Sequence, residues 1–185
     1  MKGIIAALIL IPSLAIADTF EYGWMPVIGA YKSSLDTDTA VITAANALSG
    51  LIIINSGRNS RVWIQGQYHS LTFDGNETEI GQEVTGLEIA TIYQSQYRLS
   101  RNFKPWLGIG TSFSALEFKN RFLTDSQGFL AQTFDDQTKS GLAIDFNFTT
   151  NTDWLDKHDS GFAVRLSVPV NDVLAKVEAG FYITF

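Results

Sequence analysis

The chain has 185 residues, 45% hydrophobic and 12% aromatic, with no Cys and a net charge of −6 from 13 Lys+Arg against 19 Asp+Glu. That length builds one domain with a sizeable core rather than two. The absence of a basic block argues against nucleic-acid binding, and the absence of Cys excludes disulfides, thiolate metal sites and cysteine nucleophiles.

Residues 1–17 have the layout of a secretory signal peptide. Met1-Lys2-Gly3 carries a positive charge, Ile4 to Leu10 is an unbroken apolar run, and Pro12 and Ser13 break it. Ala15-Ile16-Ala17 is a small-x-small cleavage site. The apolar run is too short to span the ~30 Å hydrocarbon core as a helix. Cleavage after Ala17 makes residues 18–185 the mature domain, with 168 residues, and loss of Lys2 takes the charge from −6 to −7. No later segment is apolar for the length of a spanning helix, so the mature chain is either soluble outside the cytoplasm or a membrane barrel.

The first predicted strand alternates Phe20, Tyr22, Trp24, Pro26 and Ile28 with Glu21, Gly23, Met25 and Val27. Pro26 donates no ladder hydrogen bond, so a bulge or local break is expected there. Residues 44–55 are less regular because Leu51 to Ile54 is a continuous apolar run. In the third, Val62, Ile64, Gly66 and Tyr68 alternate with Trp63, Gln65, Gln67 and His69. In the fourth, the odd positions from Leu87 to Leu99 alternate with Glu88, Ala90, Ile92, Gln94, Gln96 and Arg98. The fifth to seventh strands are read the same way at 107–115, 142–149 and 162–170. The eighth, Val173 to Phe185, sets Val173, Ala175, Val177, Ala179, Phe181, Ile183 and Phe185 on one wholly apolar face. Period two over that length is a strand with one apolar side. It exceeds the usual strand of about 5–6 residues and meets the ~9–11 that a tilted strand needs to cross a bilayer. The prediction is an all-β, closed antiparallel transmembrane β-barrel, an up-and-down meander of eight strands. A ten-strand barrel stays open, because 33–55 or 119–137 has room for another strand.

The connections alternate in character. Ser56 to Ser60, Arg101 to Pro105 and Thr150 to Ser160 fall at one end, and the first two are short and basic. At the other end the connections carry Asp36 and Asp38, then Asp74, Glu77, Glu79 and Glu83, then Asp125, Asp135 and Asp136 in a long loop at 120–138, and finally the tight Asn171-Asp172. Short periplasmic turns and longer outer loops are the usual barrel asymmetry. The acidic loops are either a solvated surface or a place where divalent cations gather beside lipopolysaccharide phosphates.

An eight-strand barrel has just enough interior for its own side chains. The inward set holds Glu21, Gln65, Gln67, His69, Glu88, Gln94, Gln96, Arg98, Asp145, Arg165, Lys176 and Glu178. A turn centred between Asn171 and Asp172 puts Arg165 opposite Glu178. A turn centred near Leu155 puts Asp145 opposite Arg165. The expected interior network is therefore Asp145, Arg165 and Glu178, which plugs the barrel. Catalysis finds little support. His158-Asp159-Ser160 is consecutive and lacks triad geometry, His69 and Ser70 point to opposite faces, and neither His has a second His nearby for a metal. No catalytic residue, metal site or cofactor is expected.

The stretch Phe103-Lys104-Pro105-Trp106-Leu107-Gly108-Ile109-Gly110 resembles strand starts of OmpW-like proteins, and the whole mature chain is similar to the small outer-membrane barrels typified by OmpA, OmpX and OmpW. The same stretch also resembles lipid A deacylases of the PagL type, with looser similarity through Val164-Arg165. Where that family has its catalytic His and Ser, this chain has Val168 and Val170. A terminal strand ending in an outward Phe resembles the outer-membrane assembly signal, which implies that Phe181, Ile183 and Phe185 are read by the barrel assembly machinery. The resemblance implies a monomer in the cell outer membrane, surrounded by outer-membrane lipids and lipopolysaccharide. Its role is non-enzymatic: envelope structure, surface interaction or limited small-solute passage. The alternative is a lipid A-modifying enzyme, which would need the Ser/His pair that is missing here.

Overall fold

The computed structural model describes residues 19–33, 40–41, 47–152, 159–171 and 173–185. The signal segment with Ala15 and Ala17, and the loop residues Asp36, Asp38, His158 and Asp172, lie outside the described residues.

Alternation of side chains drives the whole fold. Ten strands are described: β1 (Thr19–Ser33), β2 (Ala40–Val41), β3 (Ala47–Asn55), β4 (Ser60–Phe73), β5 (Gly81–Gln96), β6 (Trp106–Thr124), β7 (Leu130–Phe134), β8 (Gln137–Thr152), β9 (Ser160–Pro169) and β10 (Leu174–Thr184). They form one antiparallel sheet in the order β10-β9-β8-β6-β5-β4-β3-β1, and β10 pairs back with β1 to close it. The closed wall is therefore an up-and-down barrel of eight strands. Closure leaves no sheet edge along the barrel wall, which is what lets strands cross a bilayer with every backbone group paired.

The remaining strands, β2 and β7, are branches rather than staves. β2 pairs with β1 through Tyr31 and Lys32. β7 pairs with the far end of β6, setting Arg121 against Phe134 and Leu123 against Gln132. The region at 120–138, expected as a long loop with room for another strand, is thus largely a hairpin arm, and its extra strand does not enter the barrel wall. β6 runs on for 19 residues in all, well past the length needed to cross the membrane. The turn that caps the arm is built by Asp125, whose carboxylate accepts the Gln127 and Phe129 amides at 2.9 and 2.8 Å, while Gly128 takes a φ of 83°. The loop between β4 and β5 braces the arm: the Thr124 amide donates to the Asn76 carbonyl at 3.3 Å.

Pro26 behaves as its missing donor requires. β1 is continuous and keeps register with β3, pairing Pro26 with Leu48. On the β10 side the ladder is interrupted at Met25 and Pro26, between the pairs Trp24 with Ile183 and Val27 with Gly180. Gly180 makes this possible, because a Cβ there would lie 2.5 Å from the Pro26 carbonyl oxygen.

The outer surface is an apolar belt. Tyr22, Ile28, Leu87, Ile89, Ile109, Phe113, Phe146, Val164 and Leu166 are all exposed, on alternate positions around the ring. A continuous apolar girdle of this kind is what a bilayer covers and what water does not tolerate. Polar and remaining apolar side chains turn inward and fill the interior.

Candidate functional site

The interior is stacked in layers, and the layers follow from position along each strand. Inward residues of β4 read, from the end that holds the chain termini, Arg61, Trp63, Gln65, Gln67, His69, Leu71 and Phe73, all buried. Polar, apolar, polar and apolar segments succeed one another. The other strands add to these layers at matching heights, as Gln94, Ile92, Glu88 and Val84 do on β5. Toward the far rim, Tyr31, Leu71, Phe73, Val84, Leu116, Phe118 and Leu174 pack into one apolar cluster. Nearer the termini, Met25, Val27, Leu51, Ile53, Trp63, Ala90, Ile92, Ala163 and Tyr182 form a second. Between these apolar plates lies an ionic layer.

Arg165 is the hub of that layer and is 2% exposed. Its Nε and Nη2 donate to Glu178 Oε2 at 3.1 and 2.7 Å, and Nη2 also donates to Glu88 Oε1. Asp145 Oδ1 stands 3.9 Å from Arg165 Nε. Lys176 is a second buried cation, donating to Glu88 and lying 3.6 Å from Glu178. Neutral donors add further partners to the carboxylates. Tyr31 OH and Gln67 Nε2 reach Glu178 Oε1 at 2.9 and 2.7 Å. Ser114 Oγ reaches Glu88 Oε2 at 2.9 Å, and Ser167 Oγ donates to Asp145. His69 Nε2 faces Glu88 Oε2 at 3.5 Å, beneath an edge-on Tyr31 ring. Charges buried this deeply persist only when paired and hydrogen-bonded.

Arg165 and Glu178 are directly opposite in the β9–β10 ladder, which a tight turn at residues 171–172 requires. Asp145 is not opposite Arg165. It pairs with Ser167, and Asn147 stands across from Arg165. The β8–β9 register is symmetric about a position one residue later than 155, and in an antiparallel ladder that shifts each partner by two. Asp145 therefore meets Arg165 diagonally and receives its direct hydrogen bond from Ser167. Glu88, Lys176 and His69 were expected to face inward but were not expected to meet Arg165 and Glu178; Tyr31 was not among the expected residues. They come from β5, β10, β4 and β1, and only the closed ring brings those strands to one height.

A smaller polar layer closes the terminal end. Arg61 donates to Gln94 Oε1 at 2.5 Å and to Thr149 Oγ1 at 2.7 Å, with its guanidinium 4.2 Å from the Trp106 ring centroid. Arg61 shares the parity of Trp63, so the alternation of β4 carries the signal for it. Glu21 accepts from Asn55 Nδ2 at 2.8 Å and from Thr184 Oγ1 at 2.9 Å. Arg98 does not belong to the interior: β5 ends at Gln96 and Arg98 is exposed in the following turn. Gln96 is half-buried and donates to the Lys104 carbonyl at 3.4 Å.

Of the residues expected as an assembly signal, Phe181 and Ile183 lie on β10 and Phe185 directly follows it. Phe185 is exposed on the lipid side, its amide donating to the Tyr22 carbonyl at 2.8 Å, and Phe181 stacks edge-on with Phe162. Ile183 pairs with Trp24 and Ser160 on its flanking strands. Val168 and Val170, at the positions where the deacylase resemblance would put a base and a nucleophile, are exposed apolar side chains. Ser70 is exposed on the opposite side of the wall from buried His69.

No family model matches the chain, and no curated protein does either. Solved structures do match. Neisserial surface protein A (NspA) superposes with a TM-score of 0.58 over 89% of this chain and 95% of its own, at 9% identity. Ail, the attachment invasion locus protein of Yersinia pestis, gives 0.53 over 90% and 96%, also at 9% identity. The chain has the fold of the small Gram-negative outer-membrane β-barrels. At such low identity the likeness lies in the backbone, and the layered interior must be understood from this chain's own residues.

Proposed function

We propose that the chain is a non-enzymatic, monomeric barrel of the outer membrane whose interior is sealed, so that it acts through its wall and its outer surface rather than by conducting solutes. The observation that carries this reading is the pair of apolar plates on either side of the ionic layer. Trp63, Ile53, Ile92 and Tyr182 on one side, and Tyr31, Phe118, Leu116 and Val84 on the other, are buried. A hydrated ion would have to displace both plates and break the Arg165 and Lys176 pairs between them. The belt of exposed apolar side chains fits outer-membrane lipids and lipopolysaccharide as its surroundings, and the Phe185-terminated strand fits the barrel assembly machinery.

Conductance of the purified protein in planar bilayers tests the seal. A flat trace is expected, and steady unitary channels would overturn it. Lipid A mass spectra with and without expression test the absence of enzymatic action. Loss of an acyl chain on expression would establish the deacylase alternative.

The hairpin arm favours a role in surface contact within this reading. It holds Phe129 and Leu130 out at its tip, 66% and 64% exposed, on a turn fixed by Asp125. NspA is named as a surface protein, and Ail as an attachment invasion locus protein solved also with a heparin analogue, sucrose octasulfate. The rim here carries Asp74, Glu77, Glu79, Asp125, Asp135 and Asp136, which repels a polyanion. Contact through the apolar arm tip is the better fit.

A further inference from the structure

We propose that the turn joining β5 to β6 binds the phosphate group of an anionic phospholipid in the leaflet at the terminal end of the barrel. The inference rests on the outer-membrane reading above, which makes that leaflet the periplasmic one.

The turn is a continuation of the wall. Gln96 pairs with Trp106 at the end of the β5–β6 ladder. Beyond it the Tyr97 amide donates to the Pro105 carbonyl at 2.9 Å, and the Leu99 amide to the Phe103 carbonyl at 3.1 Å. The same register sets Arg98 opposite Lys104, with Arg101 at the tip. Like charges placed directly across a ladder destabilise it. No carboxylate lies in the turn, whose sequence is Tyr97-Arg98-Leu99-Ser100-Arg101-Asn102-Phe103-Lys104-Pro105. Among the described residues none of these cations is in an ion pair. A further cation comes from the adjacent β3–β4 turn, which also lacks acids: the Gln96 amide donates to the Asn59 carbonyl at 2.9 Å, bringing Arg58 alongside.

Among the described residues no carboxylate pairs with this cluster, and the turn's other face points to the source of an anion that would. The outward parity of Tyr93, Ser95 and Leu107 carries on to Tyr97, Leu99 and Phe103. Leu99 is 70% exposed and Phe103 43%. Apolar side chains beside unpaired guanidinium groups match the boundary between acyl chains and headgroups, where Arg recognises phosphate through paired N–H donors and aromatic residues settle. The turn is also held ready, because Ser100 Oγ accepts the Phe103 amide at 3.1 Å. The opposite rim carries Asp74, Glu77, Glu79, Asp125, Asp135 and Asp136, so an anionic headgroup is favoured at this turn over that rim.

The test is native mass spectrometry of the barrel after refolding into equimolar phosphatidylglycerol and phosphatidylcholine vesicles. Retained lipid should be enriched in phosphatidylglycerol by at least about fivefold, the value of one surface cation at low salt. Enrichment should fall toward unity in high salt and in the Arg98→Gln/Arg101→Gln/Lys104→Gln variant. Lys119→Gln, which removes a cation at the opposite rim, should leave it unchanged. If the triple variant does not fold, Arg101→Gln alone, at the exposed tip, must lower the enrichment. Equal retention of the two lipids by the unmodified protein overturns the inference, as does unchanged enrichment in these turn variants. Loss of enrichment in sodium phosphate but not in chloride of equal ionic strength would assign the site to free phosphate and overturn the lipid assignment. Failure to insert into either lipid overturns the barrel reading itself, whereas insertion without headgroup preference overturns this inference alone.

Discussion

Replacing Arg165 with Met tests whether the ionic layer is a coupled unit. With His69 neutral, the layer holds Glu88, Glu178 and Asp145 against Arg165 and Lys176, a formal charge of −1 that the substitution takes to −2. Removing one partner from a buried ionic group costs about 3–5 kcal/mol. The lower end applies here because each carboxylate keeps other donors. Glu178 retains Tyr31 and Gln67, Glu88 retains Lys176 and Ser114, and Asp145 retains Ser167. The expected loss is therefore about 3 kcal/mol, read as a shift in urea unfolding in vesicles, followed by gel mobility and tryptophan emission. Adding Glu178→Gln returns the layer to −1 and should recover about 1 kcal/mol or more, the size of coupling between contacting residues. If Arg165→Met alone stays within about 0.5 kcal/mol of the unmodified protein, as substitutions remote from such features do, the charges are not held together and the layered interior is wrong.

Other consequences are equally direct. Gly110→Ala should destabilise the barrel by about 1–3 kcal/mol through overpacking, because a Cβ there lies 2.1 Å from the Thr91 carbonyl oxygen; Gly66→Ala, with nothing within 4 Å, should be near neutral in the same unfolding assay. Phe185→Asp should lower the yield of heat-modifiable folded barrel in cells much more than Thr184→Ser, which keeps the hydroxyl that donates to Glu21; equal yields would remove the role assigned to the terminal aromatic. Amino-terminal sequencing of the mature protein should begin at Asp18, and a start at Met1 would refute the signal peptide.

The wall was legible because alternation is a local property. Phe20 to Ile28 and Leu87 to Tyr93 separate their faces within a single strand, so parity alone assigns each side chain to lipid or interior. What parity leaves undetermined is where a strand stops. β5 ends at Gln96 and the pattern continues to Leu99 without a break, so Arg98 counted as an interior residue although it lies in a turn. The arm was hidden for the opposite reason. Leu130 to Phe134 pairs only with the overhanging end of β6 and is exposed along nearly its whole length, so no buried face imposes a period on its sequence.

The ionic layer shows where local reading loses its grip. Arg165 and Glu178 sit across one tight turn, and counting from residues 171 and 172 is enough to pair them. Asp145 lies across a longer connection, where an error of one residue in the turn centre moves the partner by two and exchanges Arg165 for Ser167. Glu88 is harder again. It reaches Arg165 from β5, which is separated from β9 by β6 and β8 in the ring, so their meeting depends on the height of each strand and on closure across the interior. The sequence still constrains the answer in one way. An inward Glu with no cation at its own cross-strand positions, as Glu88 faces Gln67 and Ser114, has to find its charge partner across the interior, and Arg165 and Lys176 are the inward cations at that height. Buried charge must be paired, and that requirement identifies contacts which strand order alone does not.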